Sequence, residues 1–189
     1  MSYDIRLVNP ISANVIRLPF KHIMTGGTYA AEYDEVTGEF TPLPIAEATL
    51  NITYNYSRYY KQATDGDERF GTDGGIRGIY GKTGAESIPM LKDMISRIEE
   101  AYKSLGEWIS TTRHRIKYTL IETGAEITLW DILHYNLKDD QFIKEKYDEL
   151  VCEGDTEDYW EGTAANAIIP LKQLLIFAQL RPDGVWEGD

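Results

Sequence analysis

The chain holds one cysteine, Cys152, among 189 residues, so it can form no disulfide within itself and no cysteine-based zinc cluster. A reducing compartment such as the cytoplasm fits that best. Basic residues are also scarce: 19 Lys and Arg face 31 Asp and Glu, a formal charge of −12. Such a surface repels phosphate backbones and anionic membranes, which argues against direct nucleic-acid binding. Long apolar runs are absent as well. The most apolar stretch, Ala164 to Leu180, is interrupted by Asn166, Lys172, Gln173 and Gln179, so it reads as core rather than as a membrane span. Met1 to Arg6 lacks the basic start and apolar centre of a secretory signal.

Catalytic and metal motifs are missing too. Gly81-Lys82-Thr83 invites comparison with a phosphate-binding P-loop, but the glycine needed five residues earlier is Ile76, and Gly75 is one place out of register. Asp65-Gly66-Asp67 begins like a calcium loop, yet Arg69 and Phe70 stand where an oxygen ligand and a glycine are required. His22, His114 and His134 have no helical pair spacing. No Gly-x-Ser-x-Gly elbow exists, and Cys152 sits among acids, which disfavour its thiolate. The sequence therefore offers no catalytic set, no cofactor and no metal.

What is present is a globular composition, 42% hydrophobic and 26% charged, of a size for one domain spanning 1–189. The expected fold is α+β: N-terminal hairpins and a small antiparallel sheet packed on a C-terminal helical part with two long amphipathic helices. Asp4 to Val8 and Val15 to Leu18 read as a hairpin turned by Asn9-Pro10, and Val36 to Phe40 as the tip of a second. Ala48 to Tyr60 reads as a strand running into a helix. Thr64 to Gly78, with five glycines, reads as a mobile loop. Ile88, Leu91, Ile95, Ile98, Tyr102 and Leu105 lie on one helical face, with Ser87 as N-cap and Pro89 in the first turn. Lys117 to Ile121 reads as a strand closed by Thr123-Gly124. Leu129 to Leu137 suggests a short helix capped by Thr128, and Phe142 to Val151 another. The last helix is expected from Asp155 or Thr156 to Leu180, with Ile168, Leu171, Leu174, Leu175 and Ala178 inward and a kink at Pro170.

Two features suggest a binding site. Arg77, Tyr80, Gly81, Lys82, Thr83, Gly84 and Ser87 lead into the start of the strong helix, whose unpaired N–H groups and positive dipole end suit an anion. The same glycines read equally well as a tight turn, with Glu86 and Ser87 capping the helix. Upstream, Tyr54, Asn55, Tyr56 and Arg58 mix stacking surfaces with hydrogen-bonding groups, as planar ligands require, though such tyrosines also serve as ordinary core. Arg181 and Trp186 lie in a tail whose tryptophan argues that it folds back onto the body and joins that site. Asp148 to Glu161 holds seven acids and no base, which reads either as a mimic of a phosphate backbone or as a solvated helix start.

Three segments, Leu50 to Tyr56, Tyr80 to Pro89 and Arg181 to Trp186, together with Met1 to Val8, resemble a group of small proteins encoded by bacteriophages and prophages. The resemblance implies action inside a bacterial cell, and it implies that about Ser110 to Gly154 is an insertion; it carries no activity or catalytic residue across. The leading expectation is a non-enzymatic binder of a small anionic, phosphate-bearing or nucleotide-derived ligand, such as a sponge for a host immune signal, in a chain that could be homo-oligomeric. The alternatives are an acidic inhibitor of a host nuclease or other defence protein, a nucleotide-processing enzyme and a phage structural protein.

Overall fold

A computed structural model describes residues 2–18, 27–38, 40–72 and 74–189. His22, and Met1, Glu39 and Asp73 of the segments read above, lie outside the described residues. In chain order the strands and helices are β1 (Ser2–Val8), β2 (Arg17–Leu18), β3 (Gly27–Tyr33), β4 (Phe40–Thr53), α1 (Ser57–Thr64), α2 (Gly84–Tyr102), β5 (Lys103–Ser104) and β6 (Glu107–Trp108). There follow β7 (Ser110–Leu120), β8 (Glu126–Ile127), α3 (Leu129–His134), β9 (Phe142–Cys152), α4 (Ala164–Leu180) and β10 (Val185–Gly188). They form an α+β protein of two compact units, 1–108 with 154–189, and 109–153.

The first unit is an antiparallel sheet covered on one face by helices. β1 alternates as a half-buried strand must: Tyr3, Ile5 and Leu7 are buried while Asp4 and Arg6 are exposed. It lies between β4 (Ile5 opposite Leu50) and β10 (Leu7 opposite Trp186). The expected opening hairpin is only partly formed. The chain does reverse, with Val8 bridging Val15, but β2 pairs with β4 rather than with β1. Because Leu50 pairs with both β1 and β3, and Ala46 with both β2 and β3, β1 and β2 follow one another along one edge of β4. β3 takes the other edge, and the turn Asp34–Gly38 joins β3 to β4 as a hairpin.

Helices α1, α2 and α4 supply the opposing layer. The cluster of Met90, Leu91, Met94 and Ile98 from α2 with Ile168, Leu171, Leu174 and Phe177 from α4 meets Ile5, Leu7, Leu50 and Ile52 of the sheet. α2 starts one turn earlier than expected. Its N-cap is Thr83, whose hydroxyl accepts from the Glu86 N–H while the Glu86 carboxylate accepts from the Thr83 N–H. Ser87 is instead buried inside the helix, and Leu105 is solvent-exposed in the tight β5–β6 turn. α4 starts later than expected, capped by Thr163, so Asp155, Glu157 and Asp158 precede it rather than forming its first turn. Buried Asn166 organises that approach: its amide donates to Thr156 Oγ1 (2.9 Å) and to the carbonyls of Asp158 (3.0 Å) and Glu161 (3.1 Å). The glycine-rich stretch 64–78 contains two single 3₁₀ turns, Glu68–Phe70 and Ile76–Ile79, anchored by buried Phe70, Ile76 and Ile79.

The second unit is a ribbon of β7 and β9, paired from Ser110–Cys152 to Leu120–Phe142, with β8 beside β7 and α3 following it. Phe142 to Val151, expected to be helical, is thus a strand. Its charges find cross-strand partners there: Glu149 with Arg115 (2.9 Å) and Asp148 with His114 (2.6 Å). Near one end of the ribbon, buried Glu153 pairs with Arg113 (3.1 Å) and accepts from the Thr111 hydroxyl (2.5 Å). Thr128 caps α3 as expected, in a capping box with Asp131.

Candidate functional site

The start of α2 was the strongest sequence candidate for an anion site, and the chain itself fills it. The Gly84 N–H donates to the Gly184 carbonyl (2.8 Å), Ala85 N–H to the Pro182 carbonyl (3.0 Å), Glu86 N–H to Thr83 Oγ1 (3.2 Å) and Ser87 N–H to the Thr83 carbonyl (3.0 Å). Every donor that a helix start leaves over therefore has a partner. The tail also pairs with the residues before the helix. Gly81 N–H donates to the Trp186 carbonyl (2.9 Å), Trp186 N–H to the Lys82 carbonyl (3.0 Å), and Thr83 bridges Val185. Gly81, at φ +74, supplies the left-handed turn that makes this antiparallel approach possible.

The tail residues proposed for binding are equally committed. Trp186 is 1% exposed, with its indole N–H donating to Ser87 Oγ (2.8 Å), which in turn donates to the Gly84 carbonyl (2.8 Å). Arg181 forms a two-pronged pair with Asp183 (2.9 and 2.7 Å). These are fastenings of the fold, and the tail folds back as expected.

Most of the tyrosine array fastens the approach to α4. The Asn55 amide donates to the Trp160 carbonyl (2.6 Å), the Tyr56 hydroxyl to the Tyr159 carbonyl, and the Tyr59 hydroxyl to the Gly162 carbonyl (2.6 Å). The Tyr60 hydroxyl reaches the Ala167 carbonyl (2.9 Å), and the Tyr159 hydroxyl returns the contact to the Asn51 carbonyl (3.1 Å). Arg58 lies 4.4 Å from the centre of the Tyr59 ring. Burial raises the Tyr56 and Tyr60 phenols well above their usual pKa, so both remain neutral donors.

Tyr54 and Arg77 behave differently. Tyr54, in the 3₁₀ turn after β4, meets Tyr3 of β1 edge-on, with centroids 4.3 Å apart. The Arg77 guanidinium lies 5.2 Å from the Tyr3 ring and 5.7 Å from the Tyr54 ring, donates to the Tyr54 hydroxyl (2.7 Å) and to the Asp189 carbonyl (3.0 Å), and remains exposed. Tyr80 packs beside Gly188, and burial pushes its phenol up to about 12. Arg77, Tyr3, Ile76, Gly74, Gly75 and Lys61 of α1 line a cavity of about 200 Å³. Lys61 and Gly74 also line a neighbouring cavity of about 590 Å³, whose other walls include Thr64, Asp65, Asp67 and Glu68. Sequence reasoning named Arg77 and Tyr54 but missed Lys61 and Tyr3. The alternation of β1 places Tyr3 on the inward face, whereas nothing in the sequence around Lys61 distinguishes it from any other helical lysine.

The acidic run Asp148 to Glu161 is divided between the two compact units. Asp148 and Glu149 pair across the ribbon, Glu153 is buried, and the remaining acids belong to the other compact unit. Among the described residues, no group of three His, Cys, Asp or Glu side chains could hold a metal ion, and no helix is long and apolar enough to cross a membrane. Family models, curated proteins and solved structures yield no match to the chain, so the resemblance to phage-encoded proteins rests on the quoted segments alone.

Proposed function

We propose that the protein binds a small phosphate-bearing or nucleotide-derived ligand without turning it over, in the paired cavities beside Lys61 rather than at the start of α2. The observation that carries this reading is that Lys61 and Arg77, from different elements, line one cavity together with Tyr3. Two cations at one opening suit an anionic group, because charge-assisted hydrogen bonds are the strong ones. The adjoining cavity is lined by Thr64, Asp65 and Glu68 among others, residue types that suit the hydroxyls of a sugar. Arg77 is already oriented by Tyr54 and by the Asp189 carbonyl, so little side-chain freedom is lost on binding.

Titration calorimetry of the full chain with inorganic phosphate, ADP-ribose and a cyclic dinucleotide tests this. Binding of at least one nucleotide-derived compound is expected, weakened roughly tenfold or more by Arg77→Gln or Lys61→Gln, with its mass unchanged after incubation. Absence of binding by all three, or binding indifferent to both substitutions, removes the proposal; a changed mass makes the protein an enzyme.

A further inference from the structure

The second compact unit turns apolar side chains outward. α3 exposes Leu129 (55%), Trp130 (62%) and Leu133 (72%), whereas Ile132 alone of its residues is buried. At ~100° per residue, Leu129, Leu133, Trp130 and His134 fall within one arc of roughly 140°, away from Ile132. The arc is ordered internally: the Trp130 and His134 rings stack at 4.3 Å, and Tyr135, 65% exposed, meets His134 edge-on at 4.9 Å. A helix facing water with this much apolar surface marks an interaction site.

The charges around it indicate the occupant. The segment 121–141 closes on itself, Ile121 N–H donating to the Gln141 carbonyl (3.0 Å), and carries five acids against one lysine. Of these Asp131 is used in the α3 cap and Glu126 in a pair with Lys117, leaving Glu122, Asp139 and Asp140 as exposed acids of the same segment, opposed by Lys138. A second copy of this acidic chain, or an anionic membrane, would be repelled. We propose that the outer face of α3 docks a basic protein segment that presents an apolar face, with Trp130 as the anchor. Tryptophan is a residue type in which binding energy concentrates, and the acids of the segment favour a basic partner.

The proposal is independent of the cavities beside Lys61 and is tested with the full chain. The probes are labelled helical peptides: one of Leu and Lys with leucines at helical spacing, a Ser/Lys peptide of equal charge, and a Leu/Glu peptide. Fluorescence anisotropy should show the Leu/Lys peptide binding most tightly, with affinity falling as salt rises and falling about tenfold or more in Trp130→Ala. Trp130→Ala replaces an exposed side chain, and Leu133→Ser provides a second variant with the same expectation. Failure of the Leu/Lys peptide to bind, equal binding by the Ser/Lys or Leu/Glu peptide, or binding unchanged in both variants overturns the proposal. So does sedimentation showing a dimer that Trp130→Ala dissociates, or Trp130-dependent binding to phosphatidylcholine vesicles.

Discussion

Replacing Gly84 with alanine separates helix propensity from packing, because the two predict opposite signs. Gly84 is the first residue of α2, and alanine is the better helix former by up to about 1 kcal/mol; it also lowers the entropy of the unfolded chain. On propensity alone the variant would be more stable. In the structure, however, a Cβ at this position would lie 2.5 Å from the Arg181 carbonyl oxygen, 3.0 Å from Pro182 Cα and 3.1 Å from the Ala178 carbonyl oxygen. All three are backbone atoms that cannot rotate aside. Forcing a methyl against them costs about 1–3 kcal/mol. The tail can yield only by lengthening the bonds from Gly84 and Ala85 to Gly184 and Pro182, each worth about 0.5–1.5 kcal/mol. Cost exceeds gain, and a net loss of about 2 kcal/mol is expected. Gly81→Asn is the matched control: its φ of +74 is one that asparagine tolerates, and no atom lies within 4 Å of the added Cβ, so its cost should stay below about 1 kcal/mol. Urea unfolding followed by near-ultraviolet circular dichroism measures both. A Gly84→Ala midpoint equal to or above that of the unsubstituted chain would refute the packing of the tail against α2.

Three other substitutions probe separate parts of the fold. Ser87→Ala strands the buried Trp186 N–H and should cost about 1–3 kcal/mol, while adding it to Trp186→Phe should cost less than the sum; strict additivity in urea unfolding would mean that the two groups do not interact. Glu153→Gln removes the buried carboxylate charge that pairs with Arg113, for an expected loss of about 3–5 kcal/mol in the second unit. Hydrogen exchange should then accelerate in β7 and β9 but not in α2, and unchanged β7 protection would contradict it. The Arg69 guanidinium, assisted by Arg97, holds the Asp67 carboxyl well below the usual carboxylate range, and the Thr83 and Thr128 donors lower Glu86 and Asp131. A depressed folded pKa means stability that is complete above the unfolded value near 4 and is lost as pH falls through the folded value. The melting temperature should therefore drop on acidification below about pH 4, and Asp67→Asn should flatten that drop; an identical acid limb in the variant would exclude the Asp67 contribution.

The elements legible in the sequence are those fixed by nearby residues. The apolar spacing of α2 and the Thr128-x-x-Asp131 cap of α3 are local signals, and both elements are present. Pro89 drew the N-cap of α2 to Ser87, although Thr83-x-x-Glu86 carries the capping-box pattern three residues after it begins. β9 was misleading for a different reason. Phe142, Ile143, Tyr147, Leu150 and Val151 repeat at intervals of three and four, as on a helix, but their setting is decided by an eleven-residue partner strand that the local spacing does not reveal. The filling of the helix start at α2 was hidden for a similar reason. A sequence marks the donors of a helix start, whereas the carbonyls of Pro182 and Gly184 that use them come from about a hundred residues away.

The same tail that closes the start of α2 bears on the cavity proposed for ligand binding. β10 pairs with β1 from Val8 to Ile5, fixing the strand that carries Tyr3, and the Asp4 N–H donates to the Asp189 carboxylate (3.0 Å). The Asp189 carbonyl in turn orients Arg77. Two of the cavity's walls are thus held by one four-residue strand and the residue after it, while Lys61 stands on α1 outside that brace. If loosening β10 disturbs Tyr3 and Arg77 together, Gly84→Ala should weaken ligand binding as well as stability, even though residue 84 does not line the cavity. Arg77→Gln, by contrast, removes a charge and leaves the brace from β10 to β1 in place, so it should weaken binding with much less effect on unfolding. A Gly84→Ala chain that loses stability yet binds ligand with unchanged affinity would show that the cavity does not depend on the tail.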